Sequence, residues 1–282
     1  MGFRDILVYL DGSDRTEATM EVAAEVARRH QARLSGLHVA GFLLPADIGF
    51  DPCGTSLQLS SSRPWTVIRE AALAAAHRAE SVFRERSRRA ELAGDWHTAE
   101  GMVAYTAGQH ARGFDMAIVG QIDPAHPPLG TRKYVPEALF LESGCPVLII
   151  PCAGQIGSVA RTVLIGWDGS REAARAVNDA MPFLKEAASV TVVTLDNRAD
   201  DTDADPGTVV SHLLRHGVHA TGSKQKPGDG SIADALLACT VDAGADLLVM
   251  GGYGHSRVRE VVLGGTTRGV LRHMTVPVLM SH

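Results

Sequence analysis

The sequence carries one pattern twice, so a fold that serves one copy must serve the other. Asp5-Ile-Leu-Val-Tyr-Leu-Asp11-Gly-Ser13 matches Thr162-Val-Leu-Ile-Gly-Trp-Asp168-Gly-Ser170. Each is a short apolar run of β type ending in Asp-Gly-Ser. Each is followed by a stretch rich in Ala, Glu and Arg, Thr16 to His30 in the first copy and Arg171 to Ala187 in the second. A further apolar run comes next, Leu34 to Ala40 and Ser189 to Leu195. The copies also end alike. Phe114-Asp-Met-Ala-Ile-Val-Gly120 parallels Ala245-Asp-Leu-Leu-Val-Met-Gly251, and Cys145-Pro-Val-Leu-Ile-Ile150 parallels Val276-Pro-Val-Leu-Met-Ser281. Self-similarity at both ends marks an internal repeat. The offset is 157 residues between Asp11 and Asp168 but 131 between Pro146 and Pro277, so the first copy is the longer. The extra length is expected in Gly41 to Pro64 and in the helix after it.

Each copy alternates strands with helices. The second predicts strands near 162–167, 189–195, 219–225, 246–251 and 276–281, with helices near 171–187, 208–216, 231–243 and 259–273. Continuous apolar runs such as Asp246-Leu-Leu-Val-Met250 suit strands buried on both faces, the mark of a parallel sheet covered by helices. Alternation of this kind calls for right-handed crossovers. The expected fold class is therefore α/β: two tandem, doubly wound, parallel five-stranded sheets with helices on both faces. The expected domains are 1–153 and 159–282. In the first, Trp65 to Ala93 predicts one long helix and Trp96 to Gly101 a strand, while Gly41 to Pro64 predicts a loop or flap.

Composition removes several classes of function. The chain of 282 residues is 45% hydrophobic and 21% charged with a net charge of −5, which favours neither nucleic acid nor an anionic membrane. The N-terminal residues lack the basic head and apolar run of a signal peptide, and no run approaches the ~18 apolar residues of a membrane span. The four cysteines, Cys53, Cys145, Cys152 and Cys239, form no CxxC and predict reduced thiols in a cytoplasmic protein.

In an open parallel sheet, ligands bind beyond the carboxyl ends of the strands where strand order reverses. Asp168 and Gly251 are expected at such ends. After them runs Gly251-Gly-Tyr-Gly254-His255-Ser-Arg257-Val-Arg259-Glu-Val-Val-Leu263-Gly264-Gly265-Thr266-Thr267-Arg268. Glycines allow close backbone approach, and free amides at a helix start favour an anion. Other candidates are weaker. His212, His216 and His219 have a spacing that zinc could use, but solvated histidines at a helix end are the commoner case. The run Asp200 to Asp205 departs from a calcium loop, with Pro206 and His212 where Gly and Glu belong. No P-loop or nucleophile elbow is present. No metal site and no catalytic residue are assigned.

The glycine segment resembles the ATP-binding signature of the universal stress proteins: a Gly, two residues, a Gly, nine residues, then Gly and Ser or Thr. Gly251, Gly254 and Gly264 fall at that spacing, with nine residues from His255 to Leu263. Asp168-Gly-Ser170 and the closing Val276-Pro-Val-Leu also fit, once per half, so the chain resembles a tandem member. The resemblance implies a Rossmann-like fold of the adenine nucleotide alpha hydrolase type. It implies an adenine contact from Asp168, a main-chain border to the base at Leu195, and a ribose flanked by Met250 and Gly251. Gly254, Gly264, Gly265 and Thr266 would face the phosphates of ATP, with or without Mg2+. Gly265 departs from the pattern, since Ser or Thr is expected there; a backbone amide remains but a hydroxyl is lost unless Thr266 supplies it.

The first half departs further. Gly251 maps to Gly120, but Gly254 maps to Asp123, Gly264 to Lys133 and Gly265 to Tyr134. Asp123-Pro-Ala-His-Pro-Pro128 lacks amide donors at its prolines, and its carboxylate repels phosphate. Asp11 is expected to serve a structural turn. The leading expectation is a stress-response sensor or regulator with an adenine nucleotide in its second half and at most slow ATPase activity. The resemblance also implies that its halves form an internal pseudo-dimer through 146–150 and 276–280, and a homodimer of whole chains is compatible with this. Two alternatives stay open: a nucleotide-independent small-molecule-binding or scaffold protein with decayed sites, and a nucleotidyl-transferring or hydrolysing enzyme on the same fold.

Overall fold

The computed structural model describes residues 2–41, 65–125, 134–154, 156–195, 204–228, 230–252 and 265–282. The expected flap, 41–64, therefore lies almost wholly outside the described residues. The chain divides into two compact units, Arg4–Ser143 and Gly144–His282, the latter joined by Gly2 and Phe3.

The unit Arg4–Ser143 runs β1 (Asp5–Tyr9), α1 (Thr16–His30), β2 (Arg33–Ala40), α2 (Trp65–Arg89), β3 (Trp96–Glu100), α3 (Val103–Ala111), β4 (Met116–Gly120) and α4 (Val135–Glu142). Its strands are parallel in the order β3-β2-β1-β4. Helix α2 ends at Arg89 rather than Ala93, where Glu91 takes a left-handed φ of 52° that no α-helix continues.

The other unit runs β5 (Val147–Ile150), β6 (Thr162–Gly166), α5 (Arg171–Asp179), α6 (Met181–Leu184), β7 (Ser189–Leu195), α7 (Pro206–Arg215), β8 (Ala220–Gln225), α8 (Ile232–Asp242), β9 (Leu247–Gly251), α9 (Gly265–His273) and β10 (Val278–Ser281). Its order is β5-β10-β9-β6-β7-β8, parallel except for β5. Strand β5 closes the first sequence copy, yet it pairs antiparallel with β10, Val278 opposite Ile149 and Met280 opposite Val147.

Local chemistry explains the element boundaries. The expected helix 171–187 is two helices because Pro182 has no N–H to give the carbonyl of Asn178. Helix α7 starts at Pro206, with the Asp205 carboxylate capping the Gly207 N–H at 3.0 Å. Ser231 and Asp234 form a reciprocal capping box at the start of α8.

The same carboxylate device holds the central strands of both units. Asp115, just before β4, accepts from the N–H groups of Arg4 and Asp5 at 2.7 and 3.0 Å. Asp246, just before β9, accepts from those of Arg161 and Thr162 at 3.1 and 2.8 Å, and from Ser158 Oγ at 2.5 Å. Two copies that align in sequence thus use one hydrogen-bond arrangement. The central strands are buried on both faces, as their unbroken apolar runs require: Ile6, Val8, Ile118, Ile165, Leu248 and Val249 are all inaccessible. Among the described residues no helix is long and apolar enough to cross a membrane.

Candidate functional site

The topology of the unit Gly144–His282 creates one switch point. From β6 the chain winds outward to β7 and β8, then returns to place β9 on the other flank of β6. Gly166, closing β6, is paired with Val193 on one side and Met250 on the other. In open α/β sheets the ligand crevice lies beyond the carboxyl ends of the strands at such a reversal of order. Asp168 follows β6, Leu195 ends β7, and Met250 and Gly251 end β9. The structure thus brings four of the predicted site residues to one edge of adjacent strands. Gly265 and Thr266 open α9, the former exposed and the latter half-buried. The first amides of a helix have no intrahelical acceptor and carry the positive end of its dipole. Gly254 and Gly264 lie outside the described residues.

Asp168 has a structural duty as well as a position. Its Oδ1 accepts from Ser170 N at 3.0 Å and Ser170 Oγ at 2.6 Å, while Ser170 Oγ accepts from Ala173 N at 3.1 Å and caps α5. Gly169 between them takes a φ of 76°, which favours glycine. In the first copy Asp11 Oδ1 accepts from Ser13 N at 2.9 Å and Thr16 Oγ1 at 3.3 Å, and Gly12 also has a φ of 76°. The Asp-Gly-Ser signature therefore encodes an Asx turn in both copies, whether or not a ligand uses it.

Gly251 answers to packing. A β-carbon there would lie 2.4 Å from Ala173 N and 2.6 Å from Glu172 C, inside the first turn of α5. The corresponding position at Gly120 would meet Thr19 Oγ1 at 3.1 Å. Sequence reasoning reads Gly251 as letting the backbone approach a ligand, and the structure shows that it first makes room for a helix.

Three further residues at this edge escaped the motif. Glu172 is 4% exposed, Ser281 is 1% exposed and opposite Gly251 on β10, and His282 follows it. Ser281 Oγ and the indole N–H of Trp167 are buried without a hydrogen-bond partner among the described residues. Burial pushes the Glu172 carboxyl up. The hydrogen bond from Arg171, its own backbone N–H and the charges of Arg171 and His282 outweigh that and hold it below the ordinary carboxylate range. A lowered native value means the ionised group stabilises the fold above the unfolded-state value, and this is lost as pH falls through the native one. Glu172→Gln is accordingly expected to flatten the loss of stability on the acid side and to leave the slope above pH ~6 unchanged. Urea unfolding midpoints measured from acid to neutral pH check this; parallel profiles for the two proteins would refute it.

The first copy presents a different surface at the same strand ends. Helix α2 lies on the Asp11-Gly12-Ser13 turn, where a β-carbon on Gly12 would be 2.2 Å from Ala75 O. Arg78 Nη1 donates to Gly12 O at 3.0 Å and reaches Asp14 Oδ1 at 3.4 Å. Past β4, Asp123 Oδ1 accepts from Ala125 N at 2.8 Å. Elsewhere, His212 on α7 and His216 at its C-cap bring their rings to 4.6 Å between centroids at a tilt of 53°, and burial with the charges of His216 and Arg215 pushes His212 down. Among the described residues no three His, Cys, Asp or Glu side chains gather as a metal set.

The model of the universal stress protein family matches residues 160–282. Universal stress proteins from two strains of Mycobacterium tuberculosis are each 30% identical over 143 residues, 44% of this chain and 98% of theirs. A universal stress protein of Synechocystis is 46% identical over 50 residues, so the match spans only 17% of that protein's length and 18% of this chain. A crystal structure of a universal stress protein from Archaeoglobus fulgidus superimposes with a TM-score of 0.72 at 19% identity, covering 98% of this chain and 95% of that one. A functionally unknown protein of Pseudomonas aeruginosa gives 0.62 at 14%, covering 99% and 92%. At such identities the structural likeness establishes the fold. Fold and strand-end site define an α/β protein of the doubly wound class. The chain belongs to the universal stress protein family.

Proposed function

We propose that the chain comprises two universal stress protein domains, 1–153 and 159–282, and binds ATP or a related adenine nucleotide, with or without Mg2+, in the second. The observation that carries this is the gathering of Asp168, Leu195, Met250 and Gly251 at the switch point between β6 and β9, where the Gly-x2-Gly-x9-Gly spacing also begins. Asp168 would contact the adenine, the Leu195 main chain would border it, and Met250 and Gly251 would flank the ribose. The amides near Gly254, Gly264, Gly265 and Thr266 would face the phosphates. The protein acts on this reading as a sensor or regulator with slow hydrolysis at most.

The test is calorimetric titration of nucleotide-stripped protein with ATP and Mg2+. A micromolar dissociation constant corresponds to about −8 kcal/mol, and one site per chain is expected. Gly254→Val, verified as folded by circular dichroism, is expected to abolish the binding heat. Two sites would mean that the first domain also binds nucleotide.

Gly265 favours a second reading, a small-molecule-binding or scaffold protein independent of nucleotide, because the hydroxyl of the signature is absent there. No binding heat with ATP, together with a non-nucleotide molecule released from the purified protein, would favour it.

A further inference from the structure

The root of the glycine segment is gripped by residues that the family signature does not contain. Gly252 is held through both of its backbone polar groups by β10 and the residue beyond it. Its N–H donates to Ser281 O at 3.0 Å, and its carbonyl lies 3.1 Å from His282 Nδ1. A carbonyl can only accept, so Nδ1 carries the proton in that contact. Gly251, one residue earlier, is pressed against Glu172 and Ala173 at the start of α5. Glu172 is buried, and the positive form of His282 is one of the influences that favour its ionised carboxylate. Imidazole and glycine carbonyl therefore meet on the edge of β9 and β10, and the charge of the imidazole favours the ionised form of the buried Glu172.

The chain supplies its own control. At the equivalent positions of the first copy Glu172 is replaced by Arg15 and His282 by Pro151. Proline has no side-chain donor, and arginine reverses the charge. The arrangement belongs only to the copy that keeps the near-complete glycine spacing.

We infer that His282 is a positioning residue of the nucleotide site: it fixes the Gly252 carbonyl and so aims the Gly251–Gly252 backbone at the ribose and phosphates. This rests on the nucleotide reading above. His282 touches the backbone of the site and no reacting atom, so its effect is on affinity. A mispointed peptide at a binding site weakens the contacts that depend on its direction.

The experiment is ATP titration of wild type, His282→Ala, His282→Asn and Glu172→Gln, with thermal midpoints measured in the absence of nucleotide. His282→Ala is expected to weaken ATP binding about tenfold, the scale of one lost well-placed hydrogen bond. Its thermal midpoint is expected to stay close to that of wild type. His282→Asn keeps a donor for the Gly252 carbonyl and is expected to recover most of the affinity, which a bulk packing role would not produce. Glu172→Gln is expected to fall between wild type and His282→Ala. Amide exchange at 251–253 in the nucleotide-free protein is expected to quicken in His282→Ala and to be restored in His282→Asn. Wild-type binding with unchanged affinity in His282→Ala, or failure of Asn to rescue a stable variant, overturns this inference and leaves the nucleotide reading standing. A wild-type protein that takes up no ATP overturns both.

Discussion

Gly251→Ala is expected to cost about 2–3 kcal/mol of unfolding free energy, while Gly120→Ala at the matching position of the first copy costs less than about 1 kcal/mol. The asymmetry comes from what each methyl group would meet. At Gly251 all three nearest atoms, Ala173 N at 2.4 Å, Glu172 C at 2.6 Å and Ala173 Cα at 3.0 Å, belong to the backbone of the first turn of α5. Backbone atoms cannot rotate aside, so α5 must move as a body. Its inner face is committed, with Ala173, Ala176 and Val177 buried. At Gly120 the methyl group meets only the hydroxyl of Thr19, which can turn. Because α5 carries the Ser170 cap and the Asp168 turn, Gly251→Ala is also expected to weaken ATP binding in the titration described above. Urea unfolding midpoints of both variants decide the matter, and equal costs at the two glycines would refute the packing account.

Gly12→Ala is expected to be still more damaging, at about 3–4 kcal/mol, because two penalties coincide. The left-handed φ of 76° costs an L-residue about 1–2 kcal/mol. The new methyl group would also fall 2.2 Å from Ala75 O and 2.6 Å from Ala75 C, within the backbone of α2. Gly217 separates the two contributions. Its φ is 79°, yet nothing lies within 4 Å of its β-carbon position, so Gly217→Ala should show the conformational penalty alone. If both variants lose the same stability, α2 does not press on the Asp11 turn. A large excess at Gly12 would establish that the first copy uses this turn to dock a helix. One nucleotide per chain would then have a physical reason.

Much of this molecule was legible locally. Unbroken apolar runs located the central strands, Asp-Gly-Ser located the turns after β1 and β6, and the repeat implied that both copies share an architecture. Even two errors of boundary had visible causes. Pro182 divides the expected helix 171–187, and Asp205-Pro206 starts α7 earlier than its apolar pattern suggests. The candidate site was legible to the extent that it is built from strand ends, since Asp168, Leu195, Met250 and Gly251 each terminate an apolar run.

The remainder depended on which elements meet. The family resemblance anticipated that β5 meets β10, but the apolar residues of β5 do not say that the pairing is antiparallel or set its register. Glu172 and His282 are far apart in the chain and neither belongs to a periodic pattern, so nothing local marks them as neighbours. They reach the same edge because α5 packs against β9 and β10, its first turn filling the space that Gly251 leaves open. By itself the sequence determined the elements, their repetition and the strand ends at which Asp168, Leu195, Met250 and Gly251 lie, because hydrophobic periodicity and turn chemistry act over a few residues. Only the tertiary structure decided which glycine serves packing, which turn is roofed by a helix, and which histidine grips the Gly252 carbonyl. Those depend on close approach between segments distant in sequence, and sequence spacing carries no measure of that distance.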